Sequence, residues 1–363
     1  MPSKTHKIAI VPGDGIGPEV TTATLRILRT LSTNYPSFSF ISTHFDSWSS
    51  ANYLASGVYM PPDWRAQLKA HDAIFFGAVG DPQVPDHISL WSLILPIRKE
   101  LGQWVNVRPV RALEGVKSPL EGVKGKEVDW VIVRENSEGE YSGQGGISHD
   151  NTPFTTATEV SIFTLPAITR LMHFAFKTAL SRPRKKLTMV TKSNAQRHGM
   201  VLWDRIFYDV AKEYPDVEID KMLVDAMTVR MVLHPKSLDT IVATNLHADI
   251  LSDLAAALSG SIGIAPSANL NPEREHPSMF EPIHGSAPDI AGQGIANPVG
   301  AFWSAAEMVR WLGEEEAADA LMGAVERVTA KGVKTRDLGG TGNTEEVTDA
   351  VCAEIERGAG KHE

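Results

Sequence analysis

Asp249 and Asp253 stand four residues apart in NLHADILSDLAAAL, among Ile250, Leu251, Leu254, Ala255 and Leu258 at helical spacing. On a helix the two carboxylates share one face, one turn apart, and like charges there repel. Two arrangements would hold them. One is capping or ion pairing near a helix start, where the macrodipole favours anions. The other is a divalent cation, because Mg²⁺ and Mn²⁺ prefer hard oxygen ligands. Asp225, in LVDAMTVR, is a third candidate ligand, although spacing alone does not bring it to the other two. Positive charge near predicted element ends comes from Arg98 (LPIRKEL), Arg108 (NVRPV), Arg134 (VIVREN) and Lys192 (VTKSN). Arg134 and Lys192 directly follow strand-like runs, and ligands of open α/β sheets bind at the carboxyl ends of strands. Taken singly, each reads as a surface or structural ion pair. Together with Asn194 and Tyr141 they suggest a dicarboxylate site, since arginine offers carboxylates a planar fork.

Two glycine-rich stretches could approach a ligand. PGDGIGPEV (12–20) lies between a strand and a helix but has neither GxGxxG nor GxxxxGK[ST] order, so it reads as a tight turn. HGSAPDIAG (284–292) combines small residues with one carboxylate, Asp289. A carboxylate that accepts from ribose hydroxyls favours NAD and repels a 2′-phosphate.

The elements that must position these residues alternate. KIAIV (7–11), DAIFFGAV (72–79), DWVIV (129–133), LTMVT (187–191) and TIVATN (240–245) read as buried strands. Helical patterns cover 18–31, 165–180, 199–213 and the aspartate segment. Such alternation predicts an α/β fold with largely parallel sheets. Polar, glycine-rich 134–158 reads as a loop and hairpin arm suited to pairing with a partner chain, and 263–298 as one long functional loop. A chain of 363 residues suggests two domains. A formal charge of −9 excludes a wide basic field for nucleic acid, and SRPRKK (181–186) reads as a solvated turn. No apolar run suggests a membrane span, and the single cysteine, Cys352, excludes an internal disulfide and fits a reducing, cytoplasmic setting.

The landmarks PGDGIGPEV, IRKEL…NVRPV, VRENSEGEYSG, TKSN, NLHADILSD and EPIHGSAPDIAGQGIANP occur in one order across essentially the whole chain. In this set the chain resembles the β-decarboxylating dehydrogenases, which include isopropylmalate, isocitrate, homoisocitrate and tartrate/D-malate dehydrogenases. The resemblance implies an isopropylmalate-dehydrogenase-like, non-Rossmann fold of two domains, 1–103 plus 260–363 and 104–259, around an active-site cleft. It implies a homodimer with shared active sites and an exchanged arm at about 137–158. Arg98, Arg108 and Arg134 would hold substrate carboxylates. Asp249 and Asp253, with Asp225 from the second subunit, would bind Mg²⁺ or Mn²⁺. Tyr141, and Lys192 from the second subunit, would handle protons. His284, Gly285, Ser286, Ala287, Asp289, Ile290 and Asn297 match the loop that binds the NAD adenosine. The implied reaction moves hydride from C2 of a dicarboxylic 2-hydroxy acid to nicotinamide and releases the β-carboxylate as CO₂. A need for a monovalent cation such as K⁺ stays open.

Within the family, VPDHISLWSLILPIRKEL and IGIAPSANLNPER look most like the tartrate/D-malate group. Trp91, seven residues before Arg98, stands where isopropylmalate enzymes carry a glutamate, and a bulky ring there favours unbranched or hydroxylated malates. Core packing is the plainer reading of that tryptophan. Ile94 keeps an apolar wall of the kind used for an isopropyl tail, so 3-isopropylmalate remains the alternative substrate. Pro96 departs from the group's pattern and should distort the turn that presents Arg98. A non-catalytic regulatory chain would have lost members of the charged set, and here every one is present.

Overall fold

The structure, a computed structural model, describes residues 5–122 and 127–359. The domain spans read from the sequence also include 1–4, 123–126 and 360–363, which lie outside the described residues. The described residues within Met1–Gln103, Arg111–Lys126 and Ala256–Glu363 form one compact unit, and those within Trp104–Val110 and Glu127–Ala255 form another. Residues 111–122 and 256–259, assigned from the sequence to the second domain, therefore group with the first unit.

Up to the first crossing between units the chain forms β1 (Thr5–Gly13), α1 (Gly17–Asn34), β2 (Ser39–His44), α2 (Ser50–Ser56), α3 (Trp64–Lys69), β3 (Ala73–Ala78), α4 (Asp86–Ser89) and α5 (Leu95–Glu100). It continues through β4 (Val105–Arg111), β5 (Asp129–Glu135), β6 (Gly139–Ser148), β7 (Thr156–Ile162), α6 (Leu165–Ser181), β8 (Lys186–Thr191) and α7 (Gly199–Ala211). Then come β9 (Glu218–Leu223), α8 (Val224–Leu233), β10 (Thr240–Ala243) and α9 (Asn245–Ser259). β11 (Pro266–Leu270), β12 (Ser278–Pro282), α10 (Val299–Trp311), α11 (Glu315–Ala330) and α12 (Thr344–Ala359) complete the first unit.

In the first unit the strand order is β2-β1-β3-β12-β11. β2, β1, β3 and β12 run parallel, and β11 is antiparallel to β12. Ile8, Ala9, Ile10 and Val11 of β1 and Ile74, Phe75 and Phe76 of β3 are fully buried. A strand buried on both faces needs a continuous apolar run rather than alternation, and these segments supply one. The expectation of one long loop over 263–298 is corrected here. β11 and β12 occupy 266–270 and 278–282, every residue of both is buried, and irregular chain resumes at 283. Proline and asparagine in PSANL and SMFEP hid two short strands whose polar groups are satisfied inside, as when Asn269 Nδ2 donates to Glu281 at 2.7 Å.

In the second unit the order is β4-β5-β10-β8-β9, with β5, β10, β8 and β9 parallel. α6 starts at Thr164, whose hydroxyl accepts from the Ala167 N–H, and Pro166 sits in its first turn. Ile168, Leu171, Met172, Ala175, Phe176 and Ala179 then recur on its buried face. β6 and β7 form a separate antiparallel ribbon, as read for the arm, and it leaves Ile147, Phe154 and Val160 exposed. No helix among the described residues is long and apolar enough to cross a membrane.

Pro96 does distort its helix. Between α4 and α5 the chain makes a π-helical turn at Leu90–Ile94, closed by the Leu95 N–H on the Leu90 carbonyl. Proline has no N–H for the carbonyl four residues back and its ring crowds that carbonyl, which a wider turn relieves. Trp91 lies on this turn and is 43% exposed, so it is not the core residue of the plainer reading. Ile94 is buried with Leu93, Ile97, Phe76 and Met279.

The turn after β1 is tight, as its glycines require. Gly13 has φ +71°, and a Cβ there would stand 1.8 Å from the Ala78 carbonyl oxygen. Gly57 also has positive φ, +79°, but its Cβ would meet nothing within 4 Å. Gly57→Ala should cost about 1 kcal/mol of backbone strain, and Gly13→Ala several times more because backbone must move as well. Urea unfolding of the two variants measures the gap; equal losses would contradict the close approach.

Candidate active site

β5 and β10 are parallel with Ala243 opposite Arg134, so the carboxyl end of β5 lies beside the point where α9 begins. Asn245, the first residue of α9, thereby meets the Arg134 guanidinium. Its Oδ1 accepts from Arg134 Nε at 3.0 Å and from Nη2 at 2.6 Å. One turn further on, Asp249 Oδ1 takes Arg134 Nη1 in a very short contact. Arg108, on β4, approaches the same helix: its Nη1 donates to Ser252 Oγ at 2.5 Å and lies 3.4 Å from Asp249 Oδ1. Arg108 Nε is held by Asn106 Oδ1 at 2.9 Å. Tyr141, on β6, donates to Asp249 Oδ2 at 3.4 Å, and its ring lies 5.6 Å from the Arg134 guanidinium, within cation–π range.

Both guanidinium groups are buried, at 2% exposure for Arg134 and 6% for Arg108. The charge that holds Asp249 within the chain is therefore this arginine pair. The macrodipole explanation fails on position: α9 starts at Asn245, the dipole acts mainly over the first turn, and Asp249 lies in the second. Asp253, one turn later, is exposed, and its carboxylate has no hydrogen-bond partner among the described residues. Protein mass around its carboxyl pushes its pKa up, Asp249 adds to this, and Arg108 and Arg134 oppose it. Two carboxylates on one helix face are hard oxygen donors of the kind Mg²⁺ and Mn²⁺ take. Among the described residues no group of three or more His, Cys, Asp or Glu is placed to hold a metal, so a single chain does not bring Asp225 to Asp249 and Asp253.

Lys192 follows β8, and its Nζ lies 2.5 Å from Asp225 Oδ1 at the start of α8. That hydrogen bond holds the Asp225 carboxyl below the usual carboxylate range. Along α8, Asp225, Val229, Val232 and Leu233 fall on one face by helical spacing, and the three apolar residues are exposed. On α9, Ile250 is exposed as well, three residues from Asp253.

In the first unit, Arg98 on α5 is 8% exposed and donates from Nη2 to Glu281 Oε1 at 2.6 Å. Glu281, on β12, is shared with Asn269 of β11. Arg98 Nε is buried and has no partner among the described residues, leaving donor capacity for a carboxylate. The segment after β12 is irregular. His284 is buried, burial pushes its pKa down, its Nδ1 lies 3.0 Å from the Gly285 carbonyl, and its Nε2 has no partner among the described residues. A Cβ on Gly285 would meet nothing within 4 Å, and Ala287 adopts φ +41°. Asp289 is exposed, Ile290 half-buried and Ser286 buried. Buried Asn297 donates to Asp337 at 2.8 Å and accepts from the Val299 N–H at the start of α10. An open glycine backbone, an unused ring nitrogen and a free carboxylate on one loop fit a ligand rich in hydroxyl and amine groups, such as a nucleoside.

Asn245, Ser252, Asn106 and Glu281 were not singled out in the sequence. The signal for the first two was present: Asn245 lies four residues before Asp249 and Ser252 three after it, on one helical face. Glu281 could not be paired with Arg98 across so long a separation.

A family model described as isocitrate/isopropylmalate dehydrogenase matches residues 7–351. A protein of Agrobacterium vitis named "probable tartrate dehydrogenase/decarboxylase" is 62% identical over 97% of this chain and 98% of its own length. The D-malate dehydrogenase [decarboxylating] of Escherichia coli (strain K12) is 46% identical over 98% of this chain and 99% of its own. The crystal structure of isocitrate dehydrogenase from Methylococcus capsulatus is 32% identical and superposes with a TM-score of 0.87, covering 97% of this chain and 100% of that one. The chain shares their fold and belongs to the isocitrate/isopropylmalate dehydrogenase family of oxidoreductases.

Proposed function

We propose that this protein is an NAD-dependent, Mg²⁺- or Mn²⁺-dependent dehydrogenase that oxidises, and oxidatively decarboxylates, D-malate or tartrate. The observation that carries this reading is the convergence of two buried arginines on Asp249, with Asp253 on the same helix face. Arg108 and Arg134 balance Asp249 and Asp253, so the cluster is neutral alone. It stays neutral if a dicarboxylate and a divalent cation enter together, and beside two buried guanidinium groups an unbalanced charge is costly. The metal, when bound, supplies a Lewis acid beside the substrate's hydroxyl and carboxylate oxygens, and NAD supplies the hydride acceptor.

The chain's own groups take the remaining roles. Arg108, Arg134 and Arg98 bind carboxylates, and Asn245, Ser252, Asn106 and Glu281 keep their forks in place. Tyr141, hydrogen-bonded to Asp249, delivers a proton to the carbon that loses CO₂. Lys192, paired with Asp225, takes the hydroxyl proton as its neutral amine and acts with Asp225 in the active site of a second copy. The apolar stripe of Val229, Val232 and Leu233 beside Asp225, exposed Ile250 on α9 and exposed Ile147, Phe154 and Val160 of the ribbon supply the surface for that homodimer. His284 to Ile290 and Asn297 hold the adenosine, with Asp289 selecting NAD over NADP. A single buried, unpaired cysteine fits the cytoplasmic setting proposed for this enzyme.

For the substrate, the names of the relatives and exposed Trp91 favour malate or tartrate. Ile94 is committed to the core, which weakens the case for an isopropyl-binding wall.

NADH formation with Mn²⁺ on D-malate, L-malate, the tartrates and 3-isopropylmalate tests the reading directly. D-malate or a tartrate should be preferred; turnover of 3-isopropylmalate above the others would overturn it. Chelation should abolish activity, and Mn²⁺ or Mg²⁺ should restore it. Asp253→Asn should weaken Mn²⁺ dependence by more than about 100-fold, judged against the ~10–100-fold typical of losing an outer partner. A double variant, Leu233→Asp with Ile250→Asp, should elute as a monomer and lose turnover while keeping its fold by circular dichroism. A fully active monomer would remove Lys192 and Asp225 from the mechanism.

A further inference from the structure

The turn PGDGIGPEV is fastened to the 284–297 loop at both ends of that loop. At the near end the Ile16 N–H donates to the Ser286 carbonyl at 2.8 Å. Gly15, at φ +58°, lies so close that a Cβ would stand 2.0 Å from the same oxygen. Asp14 stabilises this contact from below, accepting from the Ser50 N–H at 2.7 Å, the Ser50 hydroxyl at 2.6 Å and the Gly80 N–H at 2.9 Å. At the far end stands Glu19, in the first turn of α1. Its Oε1 accepts from the Ala296 N–H at 3.1 Å and its Oε2 from the Gly294 N–H at 3.3 Å. Thr344 Oγ1, at the start of α12, lies within hydrogen-bond reach of both Glu19 and the Ala296 carbonyl. Between these anchors the loop supports itself through Ile290 N–H to Ala287 O at 3.1 Å and Gln293 N–H to Ile290 O at 3.3 Å.

We infer that Glu19 is a positioning residue for the dinucleotide loop: it fixes Gly294 and Ala296 so that Asn297 and the His284–Ile290 segment keep the spacing an adenosine requires. The inference rests on the reading that this loop binds NAD. A carboxylate suits the task because backbone N–H groups and a hydroxyl converge on it, and such charge-assisted hydrogen bonds exceed neutral ones. Glu19→Gln keeps the shape but turns an NH₂ toward one of the two N–H donors, leaving that donor unsatisfied.

The test uses the full-length protein without NAD⁺ and then with it. Hydrogen exchange of the peptide spanning 285–297 should quicken in Glu19→Gln, and NAD⁺ affinity by calorimetry should weaken by about tenfold, the scale of one buried donor left unpaired. The KM for the hydroxy acid, and kcat at saturating NAD⁺, should stay within about twofold, because nothing touching the reacting atoms has changed. Glu19→Asp should recover little, since the shorter side chain retreats from both N–H groups. If Glu19→Gln fails to fold, Thr344→Val keeps the carboxylate, removes one partner and should show the same split at smaller size. Unchanged exchange and affinity would overturn the inference, as would a uniform loss in which both KM values, kcat and thermal stability decline together. Wild-type protein that binds no NAD⁺ would overturn the cofactor reading and the inference with it; wild type that binds, beside an indifferent Glu19→Gln, overturns the inference alone.

Discussion

Arg134 has to find an anion close to its own strand. A buried guanidinium without a partner costs several kcal/mol, which no single apolar contact offsets. The acceptors it uses, Asn245 and Asp249, come from a helix that starts two residues beyond the strand beside it. The register of β10 on β5 therefore sets where α9 begins, and with it the height of Asp249 and Asp253 above the sheet edge. Arg108 reaches the same helix from β4 and locks it a second time through Ser252. Buried charge, more than helix propensity, fixes the position of the two carboxylates. In the first unit Arg98 is handled in the same way, by a buried glutamate on a strand and an asparagine on the next.

Much of this was legible in the chain because short-range chemistry marks it. The strands β1, β3, β5 and β8 announce themselves as apolar runs, and α6 by its Thr-Leu-Pro entry and apolar stripe. The aspartate pair, Arg98 and Arg134 near element ends and the tight glycine turn were readable for the same reason, whereas Arg108 lies in the middle of β4. What escaped were features that depend on partners far away in sequence. β11 and β12 look like loop because their polar residues find partners only in the folded chain, as Asn269 does with Glu281 and Glu281 with Arg98. Glu281 gains its role from a residue 183 positions earlier. The choice between a macrodipole, an ion pair and a metal for Asp249 could not be made from spacing, since all three ask for the same carboxylate at nearly the same place.

The loop that follows β12 shows how irregular chain can be held with little regular structure of its own. Buried backbone groups must find partners, and a segment with few internal hydrogen bonds borrows them. Here they come from the turn after β1, where glycine allows backbone to meet backbone at Ser286 and glutamate offers acceptors at Gly294 and Ala296. This accounts for PGDGIGPEV without making it a phosphate loop. Gly13 and Gly15 serve close approach to protein backbone, and the carboxylates of Asp14 and Glu19 face N–H groups.

The same attention to backbone changes how specificity should be read before Arg98. On a straight α-helix, positions seven apart drift by only ~20° and share a face, which is the premise for treating Trp91 as a neighbour of whatever Arg98 binds. The wide turn at Leu90–Ile94 breaks that premise: it carries Trp91 itself and ends before Arg98, so the two do not share one straight α-helix. Trp91 ends up exposed and Ile94 turns inward against Phe76 and Met279. Pro96 thus acts at a distance along the chain, because removing one N–H changes which side chain, up to five residues earlier, is exposed. The backbone of 90–96 sets the direction of the Trp91 ring.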